Sequence, residues 1–246
     1  MIPSLETWSC GQTIKPRIRV LEIQRLGQPT DPAIAWLLVE KTTAYLKEDS
    51  KESGPINEAS ISLSYQQIGP DRRSRSEKVG CFQGGYSRLD NAISLTSSVA
   101  LSEGAIFLDL PTKLEGQHIG TYMLNEIVLW AKQWPGAKVV PINLISGQAH
   151  GDNKERRNHF YEQFGLEFDY TGPDRTAGQS RPMLAGELHP VETWQENITE
   201  HHLMDFLVDT LNTREMALSE LEFRDRAVRE LMLEQRQAEA HPFFWT

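Results

Sequence analysis

The stretch Ala105-Ile-Phe-Leu-Asp-Leu-Pro-Thr-Lys-Leu-Glu-Gly-Gln-His-Ile-Gly-Thr-Tyr-Met-Leu124 carries the reading of the fold. Ala105–Leu110 is a short apolar run that predicts a strand. Beyond it, Ile119, Met123, Ile127, Val128 and Ala131 fall mostly at steps of three and four, which predicts a helix between Gly116 and Trp134, stopped by Pro135-Gly136. Gly116 and Gly120 at the junction let the backbone come close to a ligand. The unpaired N–H groups of a first helical turn, with the positive end of the helix dipole, make a site for a pyrophosphate. Gln117, His118, Ile119, Gly120 and Thr121 would supply those amides. Taken alone, the same pattern also fits a plain structural turn. It is not a nucleotide P-loop, because no Lys-Ser or Lys-Thr follows the second glycine, and it is not GxGxxG.

Downstream, Lys138–Ile145 reads as an apolar strand in which Pro141 implies a bulge or an edge. Asn153–Phe164 reads as a second helix closed by Gly165, and Leu166–Tyr170 as a final strand. Upstream, Ile18–Leu26 predicts a strand, and Thr30-Asp31-Pro32 a capped start for a helix from about Pro32 to Lys47. Alternation of Ile61, Leu63 and Tyr65 with Ser60, Ser62 and Ser64 predicts a strand with one solvated face. Val79–Phe82 and Ala92–Leu95 read as short strands, with Gly80, Gly84-Gly85 and Gly104 as punctuation. The basic run Asp71–Lys78 reads as a solvated hairpin loop or a phosphate-contacting loop. Strand, turn, helix, strand in this order implies a βαβ crossover, hence an α/β chain with a mixed sheet and helices packed on it.

A second segment, Asn158-His-Phe-Tyr-Glu-Gln-Phe-Gly-Leu-Glu-Phe168, follows about forty residues after the first. Together Leu114-Glu-Gly-Gln-His-Ile-Gly-Thr121 and Phe160-Tyr161-Glu-Gln-Phe-Gly165 resemble the Gcn5-related N-acetyltransferase (GNAT) superfamily, over roughly Gly104 to Tyr170. The resemblance implies a GNAT-like acyl-CoA N-acyltransferase fold with acetyl-CoA as co-substrate and no metal. It implies direct acetyl transfer to a primary amine, with the pantetheine arm in a gap between the strand before the turn and the strand after the helix. Gly116, Ile119 and Gly120 match the family's pyrophosphate-binding turn, and Leu124 its buried leucine. Tyr161 matches the tyrosine that protonates the departing thiolate, a role general-acid catalysis values at roughly 10²–10⁴-fold; it also reads as a helix tyrosine packed in a core. A backbone N–H of Lys138–Ile145 would polarise the carbonyl.

The match has departures. Glu115 stands where the family prefers Arg or Gln, His118 where a glycine is usual, and Asn153 is one residue too far from Tyr161 for the family's Asn spacing. A carboxylate beside a pyrophosphate is adverse unless it faces solvent. The base that deprotonates the amine would be Asp109, Glu58 or a water relay, and Lys113, Arg72 and Arg73 could meet CoA phosphates or remain solvated. The alternative reading is a GNAT-fold scaffold that has lost catalysis and associates through its C-terminal helix.

The whole chain has 246 residues, 39% hydrophobic and 24% charged, which excludes a mini-protein and suits a globular chain. No apolar run approaches the roughly 18 residues of a membrane span, and the N-terminus lacks the form of a signal peptide, so the expected compartment is the cytoplasm. Cys10 and Cys81 are too few for a disulfide framework. The net charge of −9 argues against nucleic acid as partner. Thr171–Asn197 reads as an irregular linker or covering segment. From Ile198 to about Ala240 there is no Gly or Pro, and Leu207, Leu211, Leu218, Leu221, Val228 and Met232 lie on heptad steps, with Arg214 and Asp225 at two seam positions. This predicts a helical arm, broken once near Asn212-Thr213, that joins copies into a dimer or folds back on its own domain. The expected organisation is a GNAT-like domain over 1–170, the segment 171–197, and the arm with its aromatic tail over 198–246.

Overall fold

The computed structural model describes residues 7–9, 12–14, 17–28, 31–47, 55–69, 80–101, 114–149 and 153–240. The chain divides into two units, Met1–His201 and His202–Thr246. The expected strand Ala105–Leu110 with Asp109, the basic run Asp71–Lys78, Cys10 and the aromatic tail lie outside the described residues.

The first unit opens with a hairpin of β1 (Thr7–Ser9) and β2 (Gln12–Ile14). Then come β3 (Ile18–Ile23), β4 (Ala35–Lys47), β5 (Ile56–Gly69), β6 (Gly80–Ser87), β7 (Ala92–Ser94), helix α1 (Ile119–Ala131) and β8 (Lys138–Val139). β9 (Asn143–Leu144), helix α2 (Asn153–Glu162), β10 (Phe168–Tyr170), β11 (Gly178–Ser180) and β12 (Ile198–His202) follow. Among the described residues, seven strands form the main sheet in the order β12-β3-β4-β5-β6-β7-β8, and β10-β11-β9 form a smaller one. The run β3 to β7 is antiparallel throughout. β7 and β8 pair in parallel, so the connection between them, which includes α1, is a crossover. The chain is thus mixed α/β with a large, mostly antiparallel sheet.

The alternation read in β5 holds: Ala59, Ile61, Leu63 and Tyr65 are buried while Ser60, Ser62 and Ser64 are not. With Leu21, Ile23, Leu37, Val39 and Phe82 they build one face of the core, and α1 adds Ile119, Met123, Leu124 and Ile127. Each of the Leu, Ile, Val, Phe and Met side chains among these, fully buried, contributes roughly 1.5–3 kcal/mol.

Four expectations need correction. Residues Pro32–Lys47 are not a helix; Ala35–Lys47 is the strand β4, paired on one side with β3 and on the other with β5. Trp36 and Leu38 put apolar residues on its second face, which hides the period-2 signal, and pairing on both sides overrides local propensity. Gly84-Gly85 is not punctuation but strand interior: a Cβ on Gly84 would stand 2.9 Å from side-chain carbons of both Ile127 and Ile61, so glycine there admits α1 onto the sheet. Lys138–Ile145 is not one strand, because the chain leaves the main sheet after β8, passes Pro141 and enters the smaller sheet as β9. The C-terminal helix α3 (Leu203–Ala240) starts later than Ile198, since Ile198–His202 is an edge strand, and it runs unbroken through Asn212-Thr213.

Thr171–Asn197 contains β11 and buries Leu188, Val191 and Trp194. The Trp194 ring meets Tyr122 of α1 edge-on at 5.0 Å. Among the described residues no helix is long and apolar enough to cross a membrane.

A buried charge cluster ties α1 to the sheet. Arg19 on β3, 2% exposed, donates to Glu126 Oε2 at 3.0 Å and to Glu200 Oε1 at 2.8 Å, and also to the Tyr122 hydroxyl. Lys41 Nζ reaches the same Glu126 oxygen at 3.1 Å, and the Tyr122 hydroxyl donates to Glu200 at 2.6 Å. Burial alone would lower the Arg19 pKa, but Tyr122, Glu126 and Glu200 outweigh it and hold the guanidinium above its ordinary value. Burial pushes the Tyr122 phenol well above its usual range, against the pull of Arg19. Two cations and two carboxylates therefore sit together with a neutral phenol, each charge compensated.

Candidate functional site

The turn into α1 is built from two left-handed residues, Gly116 (φ 75°) and His118 (φ 58°). Left-handed backbone suits glycine and strains histidine, and alternation of this kind turns successive N–H groups toward one side. His118 is the N-cap of α1 and its side chain makes no capping bond. The first helical bond runs from Tyr122 N–H to the His118 carbonyl at 2.9 Å, so the amides of Ile119, Gly120 and Thr121 lie ahead of it. His118 Nδ1 is buried with no hydrogen-bond partner among the described residues.

Gln117 holds the turn in place. Its side-chain oxygen accepts from Leu26 N–H at 2.9 Å, and its carbonyl accepts from Asn197 Nδ2 at 3.2 Å. Asn197 Nδ2 also reaches the Gln24 carbonyl at 3.1 Å, so the end of β3 and the start of β12 grip the turn together.

The turn borders a cavity of about 1230 Å³, whose other walls are α2 and the segment carrying Thr193 and Glu196. All six residues Gly116, Gln117, His118, Ile119, Gly120 and Thr121 line it, as does Tyr161. The cavity is large enough for a cofactor-sized molecule, and polar side chains from both helices and from the Thr193–Glu196 segment line it. The structure thus brings together two segments that are forty residues apart in sequence.

Tyr161 is buried, with Phe160 against it at 4.9 Å between ring centroids and Phe168 at 6.0 Å. Burial pushes its pKa up to about 12, while the Arg157 charge pulls the other way. Arg157, one turn earlier on α2, donates to the Ile145 carbonyl at 2.8 Å and to the Thr176 carbonyl at 2.9 Å, and burial lowers its pKa. These bonds anchor α2 between the end of β9 and the loop from β10 to β11. Gln163 Nε2 reaches Thr121 Oγ1 at 3.3 Å and joins the two walls directly.

Glu115 faces out at the rim and pairs with Arg156 at 3.3 Å, both side chains about half exposed. This carboxylate, adverse beside an anion site unless it faces solvent, therefore has its own counter-charge, and the Arg156 guanidinium also reaches Asn153 Oδ1 at 3.4 Å.

Other candidates do not converge here. Glu58 lines a separate hollow of about 290 Å³ with Ser87 and Asp90, away from Tyr161. Asp109, Lys113, Arg72 and Arg73 lie outside the described residues. The N–H groups of Lys138, Val139, Val140 and Ile142 are bonded to Asn91, Met183, Ile93 and Ser180, so none of these four can polarise a substrate carbonyl.

Arg156, Arg157, Gln163, Thr193 and Glu196 belong to the site without having been read from the sequence. The signal for Arg157 was present, because it precedes Tyr161 by four residues on one helix face. Thr193 and Glu196 carried none, since their segment has no period. No family model matches this chain, and no curated protein matches it.

Proposed function

We propose that this chain is a GNAT-type N-acetyltransferase that moves an acetyl group from acetyl-CoA to a primary amine. The observation that carries the reading is the uncapped, left-handed entry to α1 opening on a cofactor-sized cavity that a buried tyrosine, Tyr161, also lines.

The residues present fit the group. An anion suits the amides of Ile119, Gly120 and Thr121, with the orphaned Nδ1 of His118 beside them. Acetyl-CoA supplies an acyl group activated as a thioester. Tyr161, its proton held by burial, donates a hydrogen bond to the developing thiolate. Full proton transfer from this phenol would run uphill, since a free thiol titrates near about 8.5. Stabilisation of the leaving sulfur is therefore the role assigned to it. Glu196 is a carboxylate on the cavity wall; it draws a cationic amine toward the site and can take its proton through water.

The test is a thermal-shift titration with CoA and acetyl-CoA, followed by thiol release with lysine peptides, N-terminal peptides, polyamines and aminoglycosides. A ligand that binds only the folded chain, at a hundred times its Kd, raises stability by about 2.7 kcal/mol. A shift together with acceptor-dependent thiol release is the expected result. No shift at millimolar CoA removes the cofactor assignment and leaves the scaffold reading. A shift with no thiol release across the panel removes catalysis alone.

A further inference from the structure

Helix α3 is 38 residues long and no residue of it is buried. Leu207, Leu211, Leu218, Leu221, Val228 and Met232 are exposed along one heptad seam. A partner helix that runs along the whole seam would cover it. Two seam positions between these are charged, Arg214 and Asp225, and their placement identifies the partner.

Arg214 and Asp225 lie at equal distances on either side of the point midway between Leu218 and Leu221. Two copies of α3 laid antiparallel about that point place Arg214 of each against Asp225 of the other, so the seam charges are neutralised in two reciprocal pairs. The same register sets Leu218 against Leu221, Leu211 against Val228 and Leu207 against Met232. Sliding one copy by a heptad puts each charge against an apolar residue. Parallel packing in register sets Arg214 on Arg214 and Asp225 on Asp225, like charges in a closing interface. At the rim of the antiparallel pair Glu215 faces Glu222, but these stay solvated and screened, whereas the seam pairs do not.

We propose that α3 is the dimerisation element of this protein and binds a second copy of itself as an antiparallel coiled coil centred between Leu218 and Leu221, with reciprocal Arg214 and Asp225 ion pairs fixing orientation and register. The inference stands on α3 alone and is independent of the activity proposed for the first unit.

The experiment uses the full chain with Cys10→Ser and Cys81→Ser, to which Leu211→Cys or Val228→Cys is added. Under mild oxidation the two variants mixed are expected to give a disulfide-linked dimer, and neither alone. In the proposed register Leu211 meets Val228 of the second copy and lies roughly 25 Å from that copy's own Leu211, far beyond disulfide reach.

Charge variants read the same register in sedimentation. Arg214→Glu alone and Asp225→Arg alone are each expected to weaken association at least about tenfold, and mixing the two variants restores it. Self-linked Leu211→Cys dimers, or single charge variants that associate as the wild type does, overturn the antiparallel register. A chain that sediments as a monomer at high micromolar concentration overturns dimerisation itself.

Discussion

Gln163 Nε2 stands 3.3 Å from Thr121 Oγ1, so the residue just after α2 is hydrogen-bonded to the first turn of α1. The two walls of the cavity are therefore joined at the place where the α1 amides emerge. Gln163→Leu keeps the volume and removes the bond. The expected loss is about 0.5–1.5 kcal/mol in urea denaturation, with weaker CoA binding in the same titration. Unchanged CoA binding would mean that the link supports folding only.

Tyr161→Phe keeps the ring packing and removes the hydroxyl. Thiol release is expected to fall roughly 10²–10³-fold, the effect of losing one hydrogen-bond donor to a developing anion, with the midpoint for acetyl-CoA binding little changed. A rate within a few-fold of wild type would return Tyr161 to the role of a core aromatic.

The same residue makes stability fall at high pH. Its ordinary pKa of 10.0 is raised to about 12 in the fold by burial. Below pH 10 both folded and unfolded chains keep the proton. Between 10 and 12 the unfolded chain loses it while the folded chain does not, so stability drops by about 1.4 kcal/mol per pH unit from this group. Buried Tyr122, raised in the same direction, adds to the slope. Alkaline urea titrations of Tyr161→Phe are expected to show a shallower fall than wild type, and an unaltered slope would contradict the burial of this phenol.

Arg156 and Glu115 form a half-exposed pair at the cavity rim. Arg156→Ala exposes the Glu115 carboxylate to a bound anion, and CoA affinity is expected to drop about fivefold, the effect of ~1 kcal/mol from one charge in water. Glu115→Gln is expected to tighten binding instead. Each change should move folding stability by less than about 1 kcal/mol, because exposed pairs contribute little. Opposite shifts in affinity from the two variants, measured by calorimetry, are the diagnostic.

Removing one member of the buried cluster is a different matter. Glu126→Gln leaves Arg19, 2% exposed, without its 3.0 Å carboxylate partner. The expected cost is about 3–5 kcal/mol in urea denaturation, enough to unfold a marginal chain. Arg19→Met together with Glu126→Leu should recover part of this loss, since the packed apolar pair needs no compensating charge and Lys41 and Glu200, which lose these partners, are 24% and 23% exposed to water.

Some of these elements were legible in the sequence alone. Ser60, Ser62 and Ser64 alternating with Ile61, Leu63 and Tyr65 could be read as a half-solvated strand, because a strand with one wet face must show period two. The spacing of Ile119, Met123 and Ile127 gave α1, and Gly165, at φ 89°, closes the α2 region as read. The segment from Ala35 to Lys47 misled, because apolar residues on both faces erase the period that separates strand from helix.

The sequence by itself determined the helical turn at Gly116–Thr121, the strand alternation and the heptad seam of α3, since each depends on neighbours a few residues away. Only the tertiary structure decided that this turn and Tyr161 share one cavity and that Arg156 answers the charge of Glu115. It also decided that Glu58 stands elsewhere and that Arg19 is buried among carboxylates 107 and 181 residues away. Those relations depend on which strands pair and which faces close. Chain order does not encode them locally, because burial and charge compensation arise only when distant segments leave water together.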